Sequence, residues 1–560
     1  MSKYTIGLDY GTLSARAILV NVENGEEIAS ATYDYPHAVM DRCLPSGKKL
    51  ELDWALQHPD DYIEALGVII PQILKETKIS PEDIIGIGSD FTACTILPVL
   101  KDGTPLCKVE GYENEPHAYP KLWKHHAAQY KATIMNEVAK ERNEEWFPIF
   151  GNSISSEWEM PKLWQILEEA PHIYEAMDLF VAGGDWLTWQ LTDVFTRNCS
   201  AAGYKGLWNK KLGFPPKEYF KALDPRLENV IGTKIPDVIT PVGSCAGGLS
   251  KRMAAFTGLL EGTPVAVGTV DAHVTIPAAK ICDPGKMLGI IGTSTCHILL
   301  SDDEIKVPGI SAIVEGGVVP GYFGYEAGQS CVGEHFAWVV ENCTPPSYFE
   351  EAKAAGLDIH QYLTMKAAEL EPGESGLVAL DWWNGNRCVL DDGDLSGVIL
   401  GITLFTRAED IYRTLIEATA FGTKKIIEDC QAYGVKVNEF YAAGGISKKN
   451  ALAMQIYSDV LNMPVKIAAS SQAPALGSAI FGAVAAGSKN GGYSDMRSAT
   501  LAMGNIQDYV YKPNPEAVAV YEELYKEYIL LHDYFGRGTN NGMKRLRARR
   551  KAILHKKSLL

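Results

Sequence analysis

The sequence predicts an α/β protein of two similar domains facing a shared cleft, and three observations predict it. The chain has 560 residues, a length that suggests two or three domains rather than one. Its opening segments follow the order hairpin, helix, strand, the signature of an α/β unit. A short polar turn of the form G-T-x-[ST], set between apolar strands, occurs near the N-terminus and again in the second half.

Taken in order, residues 4–8 read as a strand, 9–14 as a polar turn, and 15–22 as the partner strand, with Asn24-Gly25 as the next turn. Tyr62, Ala65, Leu66, Ile69 and Ile70 recur at helical spacing and predict a helix over 59–76. Residues 84–88 read as a buried strand. In the second half, 286–291, the turn 292–295 and 296–300 repeat the first hairpin, and 439–443 reads as a strand running into Gly444-Gly445. The repetition indicates a duplication in which each domain offers one hairpin to the cleft. Helices are expected over 450–461 and 475–486. The segment 536–560 carries Lys544, Arg545, Arg547, Arg549, Arg550, Lys551, Lys556 and Lys557 and no acid. It is expected to be a solvated, frayed basic tail.

Composition narrows the function. A formal net charge of -17 repels phosphate backbones and anionic lipid surfaces, which argues against nucleic-acid and membrane partners. Eleven cysteines without a C-x-x-C pair fit reduced thiols in a chain too long to need disulfide staples. No apolar leader opens the sequence, and the apolar run 66–74 is short and broken by Pro71. A cytoplasmic location is expected.

Neither a Walker A pattern nor a G-x-G-x-x-G follows the first strand. A hairpin turn can also hold phosphate. Gly11 lets backbone N–H groups approach an anion, and Thr12 and Ser14 add hydroxyls. Asp9 beside that turn suits Mg²⁺, which takes carboxylate and water oxygens. An ordinary hairpin would use the same residue types, but the matching turn at Gly292-Thr293 favours the phosphate reading. Asp271 follows an apolar strand at 264–268 and precedes a helical segment. It suits either a general base for a hydroxyl or a helix N-cap, and position leaves both open. His273 is close enough in sequence to orient such a base, although a satisfied core histidine is the commoner state. Gly444 and Gly445, followed by Asn450, suit close backbone approach to a flat nucleotide base. The competing reading is a strand-to-helix turn capped by Ser447.

Four segments, Gly7-Leu8-Asp9-Tyr10-Gly11-Thr12, Gly268-Thr269-Val270-Asp271-Ala272-His273, Gly292-Thr293-Ser294-Thr295-Cys296 and Ala443-Gly444-Gly445-Ile446-Ser447, in this order and spacing, resemble the FGGY family of carbohydrate kinases. The resemblance runs from Gly7 to about Tyr534. Within the family, the stretches 155–158, 199–208, 319–330 and 380–387 are similar to the branch that phosphorylates L-ribulose in L-arabinose catabolism. The resemblance implies two ribonuclease-H-like (actin-like ATPase) domains around a central cleft: 1–276 for sugar, 277–535 for ATP, and the tail 536–560. It implies ATP and Mg²⁺, with Asp271 taking the proton of the sugar O5 hydroxyl. Ala93 in the turn 90–93, Lys205 and Glu326 would contact the sugar, and a homodimer is expected. One departure is His125, which stands where many relatives carry an acid that contacts a polyol. Two alternatives stay open: a kinase for D-ribulose, ribitol or D-xylulose, and an actin-like or chaperone-like ATPase.

Overall fold

The computed structural model describes residues 2–310 and 312–558. It contains two mixed sheets with matching topology. The first has the order Glu27–Asp34, Ser14–Asn21, Tyr4–Tyr10, Ile84–Phe91, Pro264–Ala266, Cys245–Gly248. The second runs Ala312–Glu315, Phe323–Gln329, Thr295–Ser301, Gly285–Ile291, Val437–Ala443, Val465–Ala468, Ile506–Tyr511. In each, an antiparallel three-strand meander leads to a parallel pair: Tyr4–Tyr10 runs with Ile84–Phe91, and Gly285–Ile291 with Val437–Ala443. The duplication read from one short turn thus extends over whole sheets.

The central strands are buried on both faces, which explains their near-continuous apolar runs. The expected helices are present as Pro59–Thr77, Ala451–Leu461 and Ala473–Ala486. The first begins on a side-chain cap from His58 and buries Tyr62, Ala65, Leu66, Ile69 and Ile70 against the first sheet's core.

The helix Ala473–Ala486 is C-terminal in sequence, yet it lies against the first sheet. Glycines make this contact. A Cβ added at Gly7 would sit 1.8 Å from the Ala475 carbonyl oxygen, and one at Gly88 would sit 1.8 Å from that of Ser478. No side chain fits there. Gly88→Ala is therefore expected to lower stability by about 1–3 kcal/mol through overpacking, read as a drop in the urea midpoint with an unchanged m-value.

The basic tail corrects the expectation of frayed chain. A helix over Pro515–Gly536 is followed by a second over Gly542–Ser558. Met543 is buried in the second domain's core cluster. Lys544, Arg547 and Lys551 pair with Asp392 and Asp394. Basic residues at helical spacing meet a local group of acids, a complementarity that reading the tail alone does not reveal. Lys556 and Lys557 lie outside the described side chains.

Candidate active site

The polar turns at 11–14 and 292–295, Asp271 and Gly444-Gly445 each follow the carboxyl end of a strand in a parallel pair, where open α/β sheets place their ligands. The two polar turns close in the same way. The Gly11 N–H donates to the Ser14 carbonyl at 3.0 Å, and the Gly292 N–H donates to that of Ser294 at 2.9 Å. In the second turn, Ser294 lines the cavity between the two halves. Thr12 is held from two sides: Gln57 Nε2 donates to its carbonyl at 2.8 Å, and Trp123 Nε1 donates to its Oγ1 at 3.1 Å. The Thr12 hydroxyl proton remains available. Ser14 is buried as the first residue of its strand.

Strand register brings three carboxylates together. Asp9 pairs with Asp90 across the parallel strands, and Asp90 pairs with Thr269, two residues before Asp271. Burial pushes the Asp271 carboxyl up to about 7; Asp9 and Glu326 add to the shift, while the N–H groups of Ala272 and Ala93 counter it. Asp271 is the first residue of the helix Asp271–Ala278, and Val270 is its N-cap, with no side-chain capping bond. The capping reading of Asp271 is thereby set aside: its carboxylate accepts from the adjacent Ala272 N–H at 2.8 Å. Asp90 is fully buried and raised for the same reason, with Asp9 second, and Ser478 Oγ donates to it at 2.6 Å. Asp9 is raised by burial and lowered by Arg16, whose guanidinium lies 3.3 Å away.

Lys205 and Glu326, from different halves of the chain, form a buried ion pair at 2.8 Å. Glu326 also accepts from Arg387 at 2.5 Å and from His273 Nε2 at 3.0 Å. Burial alone would raise the Glu326 carboxyl. Lys205, His273 and Arg387 together outweigh it and hold the group well below the usual carboxylate range. His273 is kept neutral by burial, the largest influence on it. Its Nε2–H serves Glu326 while Nδ1 accepts from Ser200 Oγ at 3.0 Å, a tautomer assigned from these partners. His273 therefore holds Glu326 rather than orienting Asp271.

A cavity of about 550 Å³ joins the two halves. Trp123, Glu157, Trp158 and Lys205 line one side; Ser294, Asn386 and Arg387 line the other. His125 is absent from this lining. It is a core group, with Nε2 2.8 Å from Gln165 Oε1 and its ring edge-on to Trp54. The departure at this position therefore leaves the cavity wall untouched, and its neighbours Trp123 and His126 face the cavity instead.

Gly444 has φ 93°, and a Cβ there would sit 2.4 Å from the Ile291 carbonyl oxygen, so glycine is required by packing as well as conformation. A Cβ at Gly445 would meet open space. Ser447 is not the cap expected in the competing reading. Its Oγ donates back to the Gly444 carbonyl at 2.8 Å. Asn450 caps the helix Ala451–Leu461 by accepting from the Ala453 N–H at 2.9 Å.

Several polar groups at the site were not singled out as site residues from the sequence, Arg387 appearing there only as the end of the stretch 380–387. Arg387 sits in an irregular loop and becomes a partner of Glu326 only through folding. Lys162 is buried and donates to the carbonyls of Cys94 at 2.6 Å and Leu122 at 2.9 Å. It thereby ties the turn that presents the Ala93 N–H to the segment that presents Trp123. Asp90 did leave a trace: it opens the turn 90–93, just after the apolar strand 84–88.

The chain matches the N-terminal domain of the FGGY family of carbohydrate kinases over residues 4–276 and the family's C-terminal domain over 287–486. It is 56% identical over 536 residues to a ribulokinase of Bacillus licheniformis, covering 96% of this chain and 97% of that one. It is 54% identical over 546 residues to a ribulokinase of Anoxybacillus flavithermus, covering 97% of each. Among solved structures, the xylulose kinase of Rhodospirillum rubrum superimposes with a TM-score of 0.78 at 22% identity, over 95% of this chain and 98% of that one.

Proposed function

The chain belongs to the FGGY family of carbohydrate kinases, and from that premise we propose that it transfers the γ-phosphoryl group of ATP to O5 of L-ribulose in the cleft. The observation that supports this reading is the half-buried Asp271 carboxylate, with a pKa near neutrality, just after Thr269–Val270, which pairs with Ile84–Phe91 in the sheet whose first hairpin bears the first polar turn.

Phosphoryl transfer needs positioning and charge stabilisation more than covalent help. Asp271 accepts the O5 proton as the oxygen attacks; a carboxylate with a pKa of about 7 is matched to that task at neutral pH. Lys205 donates to a sugar oxygen. Glu326 spends three of its roughly four acceptor positions on Lys205, Arg387 and His273, which leaves one for a sugar hydroxyl. The Ala93 N–H fixes Asp271 and borders the sugar.

The backbone of Gly11, Thr12 and Ser14 and of Gly292 and Thr293 lines the phosphates. Gly444, Gly445 and Asn450 lie where the adenosine half rests. Arg16 adds a cation beside the first turn. Asp9 is the residue that would hold a divalent cation: it is a buried carboxylate near the end of its strand, beside the first polar turn. Bound there, Mg²⁺ would supply charge neutralisation at the phosphate oxygens.

Among the described residues no helix is long and apolar enough to cross a membrane; a cytoplasmic location remains part of this proposal. A homodimer remains part of this proposal and is read by sedimentation. The actin-like or chaperone-like reading is not favoured by the family.

The experiment is a coupled ADP-release assay with L-ribulose, D-ribulose, ribitol and D-xylulose. L-Ribulose is expected to give the highest kcat/KM, with little release when sugar is omitted. A wide preference for D-xylulose would overturn the substrate assignment, and sugar-independent turnover would overturn the kinase mechanism.

A further inference from the structure

The loop between Asn386 and Leu395 does two things at once. It sends Arg387 inward to Glu326 at 2.5 Å, and it forms part of the cavity wall through Asn386, Arg387, Asp391 and Gly393. Asp391 hydrogen-bonds across to Ser153 on the opposite wall. The loop has little regular structure of its own. Its base is closed by paired backbone bonds between Asn386 and Asp392, at 3.0 and 2.8 Å, with the Leu390 N–H donating to Asn386 Oδ1 at 3.0 Å. Such a loop needs an outside support to hold a guanidinium on a buried carboxylate.

The support comes from the end of the chain. On the helix Gly542–Ser558, Lys544, Arg547 and Lys551 fall at i, i+3 and i+7, so they share one face. Lys544 pairs with Asp392, and Lys551 lies 3.2 Å from Asp394. Arg547 makes the fullest contact. It lies 3.5 Å from Asp394 and donates to the carbonyls of Gly393 at 2.5 Å and Leu395 at 3.3 Å. The buried Met543 anchors the start of the helix. Acidic side chains and outward-turned carbonyls on the loop thus meet a complementary row of cations.

We propose that this basic C-terminal helix is a positioning element of the sugar site, holding the 386–395 loop so that Arg387 stays on Glu326. The inference rests on the sugar-site reading given above. Arg547 and Lys551 touch no reacting atom and act through Arg387. The helix is therefore coupled to sugar affinity and not to nucleotide affinity.

The test is charge reversal and its reciprocal repair. Arg547→Glu with Lys551→Glu is expected to raise the KM for L-ribulose by about five- to tenfold while leaving the KM for ATP within about twofold, a ground-state binding loss confined to one substrate. Adding Asp394→Lys should recover part of the lost affinity by restoring the ion pairs, though not the Arg547 donations to the Gly393 and Leu395 carbonyls, a recovery that a merely misfolded tail would not permit. In the wild type, raising NaCl to about 0.5 M should weaken sugar binding through screening of these exposed pairs, and the reversed variant should lack that response. Arg547→Lys serves as the mild variant if the double reversal folds poorly, with a smaller rise in the sugar KM alone. An unchanged sugar KM, an equal rise in both KM values, or no recovery with Asp394→Lys would overturn the proposal. The wild type is assayed first on the four sugars, and the variants on its best one. A wrong substrate assignment then shows in the wild type, and a wrong helix assignment only in the variants.

Discussion

Asp271→Asn is expected to lower kcat by roughly 10²–10⁴-fold, the usual span for losing a general base, while ATP affinity stays within about twofold. The amide keeps the size of the carboxyl and can still accept from the Ala93 and Ala272 N–H groups. It cannot take a proton from the attacking hydroxyl. Single-turnover phosphorylation and equilibrium nucleotide binding separate the two effects; near-normal turnover would remove Asp271 from the mechanism.

The same carboxyl sets a pH dependence. With a pKa of about 7 in the free protein, kcat/KM should fall tenfold per pH unit below that value, and this acid limb should be missing from the residual activity of the Asn variant. Stability moves the other way. The folded-state pKa lies above the unfolded value of 3.8, so between the two the native state binds more protons and loses stability as pH rises. The cost is complete above about pH 7. Asp271→Asn should therefore raise the urea midpoint at pH 8 more than at pH 5.

Glu326→Ala is expected to be the most destabilising of the site variants, by about 3–5 kcal/mol, because it strips the counter-charge from buried Lys205 and from Arg387. Glu326→Gln retains acceptors for Lys205 and Arg387 and should fold better, yet it should still raise the L-ribulose KM more than the ATP KM. The pH sign is opposite to that of Asp271. Glu326 is held well below 4.5 in the folded state, so its stabilising contribution is present above that pH and lost as pH falls through the folded value. Urea unfolding of wild type and both variants at pH 7 measures the first effect; the ratio of the two KM values measures the second. A Glu326→Gln enzyme with both KM values unchanged would remove Glu326 from sugar recognition.

Much of the fold was legible because strong local rules and burial agree. The hairpins at 4–22 and 286–300 show apolar strands around turn residues that suit them, and the helix at 59–77 shows helical spacing together with a side-chain cap. The repeated G-T-x-[ST] turn pointed to a duplication, since the same local chemistry closes the same meander twice. The tail was misjudged for the converse reason. A run of cations says nothing about the acids at 392 and 394 that receive it, more than 150 positions away in sequence.

The sequence by itself determined the two-domain α/β class, the phosphate-turn candidates and the position of Asp271, since each depends on neighbours in the chain. Only the tertiary structure decided what these groups do to one another. The parallel register sets Asp9 beside Asp90, and burial of that cluster lifts Asp271 to a pKa suited to a base. Packing from both halves converges Lys205, His273 and Arg387 on one glutamate. These are through-space electrostatic effects between residues as far apart in the chain as Asp9 and Asp271. Their size is set by distance and by exclusion of water, neither of which a sequence records.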